Sequence, residues 1–208
     1  MAGYNNFMID KILRDQPLIS DQINSKQLRV ILSELEKQIQ SNVSGAVVEF
    51  GCYAGTTSLF IRRMLDAYGD SREFHVYDSF TGLPAKSDAD SSPVGAQFQF
   101  GELAVSKKQF VFNFKKAGLA LPYIHKGWFG DLSSGDVPAE ISLAFLDGDF
   151  YGSIKDSLVL VGSKMTSGGV IIVDDYANEA LPGAAKACHE YYPPERISVI
   201  HGLGIIRI

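Results

Sequence analysis

Four aspartates carry the most telling chemistry in the chain. Phe145-Leu146-Asp147-Gly148-Asp149-Phe150-Tyr151 and Ile172-Val173-Asp174-Asp175-Tyr176 each place acids directly after an apolar, strand-like run. If the two runs are neighbouring parallel strands, their carboxyl ends share one edge of a sheet, where open α/β sheets bind ligands. Asp147, Asp149, Asp174 and Asp175 then crowd into one cleft, and like charges there repel unless something offsets them. A hard divalent cation with oxygen ligands, Mg2+ or another, is the natural counter-charge. One such acid as a helix cap or a surface charge is ordinary; all four in those roles is not.

A second constellation is Val47-Val48-Glu49-Phe50-Gly51-Cys52-Tyr53-Ala54-Gly55-Thr56-Thr57-Ser58, a strand leading through a glycine turn into a helix. Gly51 and Gly55 let backbone approach a ligand with no Cβ in the way. Thr56, Thr57 and Ser58 begin the helix and offer free N–H groups and hydroxyls to a carboxylate. Glu49 at the strand end suits an ammonium. Asp78 closes the next strand, 23 residues after Gly55, and suits a pair of ribose hydroxyls. A tight turn without a ligand, and a capping aspartate, would explain each feature singly. Together they point to a nucleoside cofactor. A pyrophosphate needs G-x-G-x-x-G, and Tyr53 breaks that spacing, so NAD is disfavoured. S-adenosylmethionine carries no phosphate and tolerates the looser turn.

The elements that position these residues alternate between short β-branched runs and helical stretches, the pattern of a parallel α/β sheet. Strands are expected at 46–50, 74–78, 123–126, 142–147 and 170–174, with helices at 57–67, 106–117, 153–163 and 184–191. An N-terminal helix is expected over 25–40, because Leu28, Ile31, Leu32, Leu35 and Ile39 form one apolar stripe. Two last β-like runs, 197–201 and 204–208, are separated by too short a link for a parallel crossover, so they form an antiparallel hairpin. The segment 81–99, rich in Ser, Asp, Ala, Gly and Pro, is expected as a long surface loop and a candidate lid.

The bulk numbers exclude several classes of function. With 208 residues the chain fits one well-buried domain. A net charge of −5, with no basic run longer than a pair, argues against nucleic acid. No stretch approaches a membrane span, the first residues lack a secretion signal, and the two cysteines have neither CxxC spacing nor a histidine partner for zinc. A reduced cytoplasmic protein is expected, and a homo-oligomer is left open.

Several strings resemble the macrocin O-methyltransferase (TylF-type) family of metal-dependent sugar O-methyltransferases. They are Val48-Glu49-Phe50-Gly51 with Gly55, Tyr77-Asp78-Ser79-Phe80-Thr81-Gly82-Leu83-Pro84, Gly101 to Ser106, Lys126-Gly127-Trp128-Phe129, Leu146 to Tyr151 and Val173 to Tyr176. The resemblance implies a class I methyltransferase Rossmann-like fold, a mostly parallel seven-stranded sheet ending in the antiparallel hairpin. Residues 1–40 would be an N-terminal helical cap and 41–208 a single S-adenosylmethionine-dependent domain. It implies Asp147, Asp174 and Asp175 as metal ligands and Asp149 as general base. Glu49, Gly51, Tyr53, Gly55, Thr56, Thr57, Asp78, Ser79, Trp128 and Phe129 would bind the cofactor, with Trp128 and Phe129 equally well explained as core aromatics. The acceptor would be a hydroxyl of a small molecule, with a vicinal diol suited to gripping a cation through both oxygens. Gly152 stands where many relatives carry Glu. A catechol or caffeoyl-CoA-type O-methyltransferase and a non-enzymatic nucleotide-binding protein are the alternatives.

Overall fold

The computed structural model describes residues 7–96 and 98–208. In chain order the elements are α1 (Phe7–Asp15), α2 (Ser25–Gln40), β1 (Ala46–Phe50), α3 (Thr56–Tyr68), β2 (Phe74–Asp78), α4 (Lys107–Ala117) and β3 (Tyr123–Lys126). There follow β4 (Ile141–Leu146), α5 (Tyr151–Gly162), β5 (Met165–Val173), α6 (Gly183–His189), β6 (Ile197–Ile200) and β7 (Leu203–Arg207). The strands form one seven-stranded sheet in the order β3-β2-β1-β4-β5-β7-β6. β1 to β5 run parallel, and β7 inserts antiparallel between β5 and β6. The hairpin turns at His201-Gly202 rather than at Gly202-Leu203. Both turn residues have positive φ, 52° and 88°, as the tightest hairpin turn matched to strand twist demands.

Central strands β1 and β4 are buried throughout, so they read as continuous apolar runs, and their side chains alternate between two helical layers. Leu143, Phe145, Val170 and Ile172 pack with Ile9, Leu28, Ile31, Leu32 and Leu35 on the α1–α4 face. Ala144, Leu146, Ile171 and Val173 pack with Ile154, Leu158, Val161, Ala184 and Ala187 of α5 and α6. Each fully buried aliphatic side chain of this kind contributes about 2 kcal/mol. Sandwiching the sheet leaves only its ends open to ligands.

Helix α2 occupies the range its apolar stripe predicts and begins with a capping box, Asn24 with Gln27. Helix α1, which buries Ile9 and Ile12, was not anticipated. β5 begins five residues earlier than expected, at Met165, with a register irregularity against β4. Segment 81–99, apart from Gln97, which lies outside the described residues, is a pinned wall more than a free loop. It contains a 3-10 turn at Asp88–Asp90. The Ser92 hydroxyl donates to the Glu179 carbonyl (2.7 Å) and the Lys186 ammonium to the Ala89 carbonyl (2.5 Å). No helix among the described residues is long and apolar enough to cross a membrane.

Candidate active site

Backbone hydrogen bonds extend the ladder one residue past the carboxyl ends of the strands. Asp147 N–H donates to Phe50 C=O (2.8 Å), Asp174 N–H to Leu146 C=O (2.9 Å), and Gly51 N–H to Tyr77 C=O (2.8 Å). The loops that carry the acids and the glycine turn are therefore locked side by side. They open onto one cavity of about 500 Å³, a volume suited to small-molecule ligands. Gly51, Tyr53, Asp78, Ser79, Trp128, Phe129, Asp147, Asp149, Asp174 and Asp175 line it. Of the residues singled out in the sequence, Glu49, Gly55, Thr56 and Thr57 are not on its wall.

Asp147, Asp174 and Asp175 each place a carboxylate oxygen within 4.8 Å of the others. Burial, followed by the neighbouring carboxylates, pushes Asp147 well above the usual range. Burial and then Asp175 raise Asp174 to about 7, and burial raises Asp175. Asp149 is raised by burial and then by Asp175, Asp174 and Asp78. Three hard oxygen donors gathered within 4.8 Å form a donor set that fits a divalent cation. A cation there would remove the repulsion that the shifts record.

Asp149 sits at φ +59°, and Phe150 N–H donates to Gly148 C=O across it (2.6 Å), so Asp149 is the centre of a positive-φ γ-turn. Tyr53, Phe80 and Asp175 also have positive φ, at 45°, 54° and 56°. Such conformations cost about 1–3 kcal/mol each in non-glycine residues and gather at functional sites. Here Tyr53, Asp149 and Asp175 all face the cavity.

The glycine turn is fixed mainly from within the protein. Oδ2 of Asp78 accepts Cys52 N–H (2.9 Å) and Tyr53 N–H (3.2 Å), and Oδ1 accepts Phe80 N–H (2.6 Å). A Cβ on Gly51, at φ +86°, would lie 1.9 Å from the Asp147 carbonyl oxygen. One on Gly55, at φ +90°, would lie 2.8 Å from the Phe110 ring. Both glycines therefore answer to protein neighbours, which the expectation of ligand approach did not include. Beneath the turn, Glu49 is 1% exposed and accepts a hydrogen bond from the Ser58 hydroxyl (2.5 Å). Burial raises its pKa to about 8, against the lowering effect of Ser58. Thr56 meets the N-terminal segment, its Oγ1 lying 2.6 Å from Ser20 Oγ.

Trp128 is 38% exposed. Phe129 packs edge-on to Phe50 at 5.2 Å, and Phe50 stacks on Tyr77 at 4.4 Å. Phe129 is thus both core and cavity wall.

Sequence reasoning missed a further set of wall residues: Asp21, Gln22, Asp90, Asp156 and Asn178, with an apolar side of Leu83, Phe98, Leu103 and Phe150. Asp90, 2% exposed, accepts Tyr151 N–H at 2.7 Å and so starts α5 two residues earlier than expected. Gln27 donates to Asp174 Oδ1 (3.1 Å) and Asn178 to Asp175 Oδ1 (2.8 Å). Only Gln27 left a local signal, the Asn-x-x-Gln capping box.

The macrocin-O-methyltransferase (TylF) family model matches residues 11–199. The chain is 33% identical over 201 residues to the 8-demethyl-8-(2,3-dimethoxy-alpha-L-rhamnosyl)-tetracenomycin-C 4'-O-methyltransferase of Streptomyces olivaceus, covering 92% of this chain and 77% of that protein. It is 31% identical over 194 residues to the mycinamicin III 3''-O-methyltransferase of Micromonospora griseorubida, covering 88% and 75%. Among solved structures, the O-methyltransferase NovP superposes with a TM-score of 0.78 at 28% identity, covering 96% of this chain and 86% of that chain. A calicheamicin methyltransferase superposes at 0.75 with 19% identity, covering 97% and 90%, and bears on the fold alone. The sheet order and these likenesses agree on the class I methyltransferase fold.

Proposed function

The chain belongs to the macrocin-O-methyltransferase (TylF) family, and from that premise we propose that it methylates a sugar hydroxyl of a natural product. S-adenosylmethionine is the donor, and Asp147, Asp174 and Asp175 hold a divalent cation. One observation carries this reading: three carboxylates from the ends of β4 and β5 converge within 4.8 Å on the cavity that the glycine turn and Asp78 also line.

The cofactor's sulfonium methyl is already electrophilic, so the difficulty lies with the alcohol, which is almost wholly protonated at neutral pH. A bound divalent cation would supply Lewis-acid polarisation, lowering the pKa of a hydroxyl. Asp149 stands beside the three acids on its strained turn, a carboxylate within reach of a hydroxyl held at that cluster. Its carboxylate takes the hydroxyl proton. Bound S-adenosylmethionine would supply the methyl group, with S-adenosylhomocysteine as the departing product. Tyr53, Asp78, Trp128 and Phe129, which line the cavity, would hold the nucleoside side of the cofactor, while Glu49 braces the glycine turn from beneath through Ser58. A vicinal diol fits because two oxygens fix the angle of attack.

The charge of the wall supports a neutral acceptor. Among the described residues, eight aspartates and no Lys, Arg or His line the cavity. A phosphate-bearing acceptor would therefore find no cationic side chain on this wall to pair with. Lys86, close by, already donates to the Gly95 carbonyl (2.5 Å) and sits over the Phe150 ring. This favours a neutral sugar, with Leu83, Phe98, Leu103 and Phe150 as an apolar resting face, over a coenzyme A thioester.

The Asp149→Asn variant tests the base. Its kcat should fall by about 10²–10⁴, while S-adenosylmethionine affinity measured by calorimetry stays near the wild-type value. An unchanged kcat removes Asp149 from the role.

A further inference from the structure

Resting on the cation reading above, we infer that Gln27 is a positioning residue that presets Asp174 for its ligand, with Asn178 doing the same for Asp175. Gln27 stands in the first turn of α2, far from the acids in sequence. Its Oε1 accepts Asn24 N–H at 3.1 Å, completing the capping box. That bond fixes which way the amide faces, so Nε2 is turned to Asp174 Oδ1 at 3.1 Å, across 147 residues of chain. Oδ1 also accepts Asp175 N–H at 2.9 Å. Both hydrogen bonds fall on one oxygen of Asp174, which leaves Oδ2 for a ligand.

The same arrangement recurs one residue on. Asn178 Nδ2 donates to Asp175 Oδ1 at 2.8 Å, and Asn178 Oδ1 accepts Ala180 N–H at 3.0 Å, which orients that amide too. Each β5-end carboxylate therefore has Oδ1 tied by an amide and Oδ2 left without a hydrogen bond among the described residues. Outer groups that orient ligating carboxylates in this way tune affinity for the metal.

The choice of an amide is informative. A Lys or Arg at position 27 would also tie Asp174, but its charge would neutralise the carboxylate and repel an arriving cation. An amide orients without spending the charge. Helix capping alone does not account for the contact, because the cap uses only the Oε1 end of Gln27.

The test is Mn2+ titration of the full-length protein, followed by electron paramagnetic resonance with no acceptor present. Gln27→Met keeps the bulk and removes the donor, and should weaken Mn2+ about tenfold or more. Asn24→Ala removes the side-chain cap, including the Asn24 Nδ2 bond to Gln27 Oε1, but keeps the backbone N–H bond that orients the amide and the Gln27 donor itself. It should lower Tm while leaving Mn2+ affinity within about twofold of wild type. If Gln27→Met fails to fold, Asn178→Ala carries the same expectation through Asp175. Wild-type Mn2+ affinity in the folded donor variant overturns the proposal, as does an equal loss in Asn24→Ala, which would make the effect one of helix integrity. A wild-type protein that takes up no Mn2+ brings down the cation reading, and the role of Gln27 falls with it.

Discussion

The two ends of the cavity solve the problem of buried carboxylates in opposite ways. At the β1–β2 side, Asp78 spends its oxygens on three backbone N–H groups and so braces the glycine turn from within. At the β4–β5 side, Asp147, Asp149, Asp174 and Asp175 face one another with raised pKa values and few donors. One end is braced by donors from the protein itself. At the other, a divalent cation of the kind proposed above would offset the crowded carboxylates. Glu49 marks the boundary, an acid buried under the glycine turn, its pKa raised to about 8 by burial. A buried carboxylate that the fold does not satisfy is a good place to look for a ligand's charge.

The sharpest break of this contrast is Asp174→Asn. Removing one ligand should weaken Mn2+ about 100-fold or more. The same change relieves like-charge repulsion, so the metal-free protein should melt about 3 °C higher. Calorimetry and thermal melts with and without Mn2+ read both effects. A variant that is less stable without metal and binds it normally would place the four acids in the same category as Asp78.

A smaller effect is expected at Glu49. Its folded pKa of about 8 lies above the ordinary value of 4.5, so the folded state binds this proton more tightly than the unfolded state does. Stability from this group is therefore full below about pH 4.5 and is lost as pH rises towards 8. Across that window the cost approaches about 4 kcal/mol at most. Glu49→Gln, which can still accept from Ser58, should flatten the fall in Tm between pH 5 and 8 in the cofactor-free protein. Parallel Tm profiles for the two proteins would contradict the assignment.

Much of this organisation was legible because it is local or follows from topology. β2 and β3 occupy the expected ranges, being short β-branched runs between polar breaks. The four acids could be brought together on paper because parallel strands share one carboxyl edge. What escaped depends on contacts between distant segments. The first turn of α5 is capped by Asp90 from a loop 61 residues away, a contact that the sequence around position 151 does not show. Gln27 reads as an ordinary capping residue until the fold sets Asp174 beside it. Gly51, which lines the cavity, also has the Asp147 carbonyl packed against it, a second constraint that the sequence alone does not show. Periodicity carries the layers of the fold, and the second partner of a side chain appears only in three dimensions.

The central claim is that positive charge at Asp147, Asp174 and Asp175 is needed for methyl transfer. The direct measurement follows methyl transfer from S-adenosylmethionine to a neutral glycoside with a vicinal diol, using protein stripped with EDTA and then given Mg2+ in excess. The account predicts no turnover after EDTA and recovery on adding Mg2+. Turnover that survives excess EDTA unchanged would contradict it.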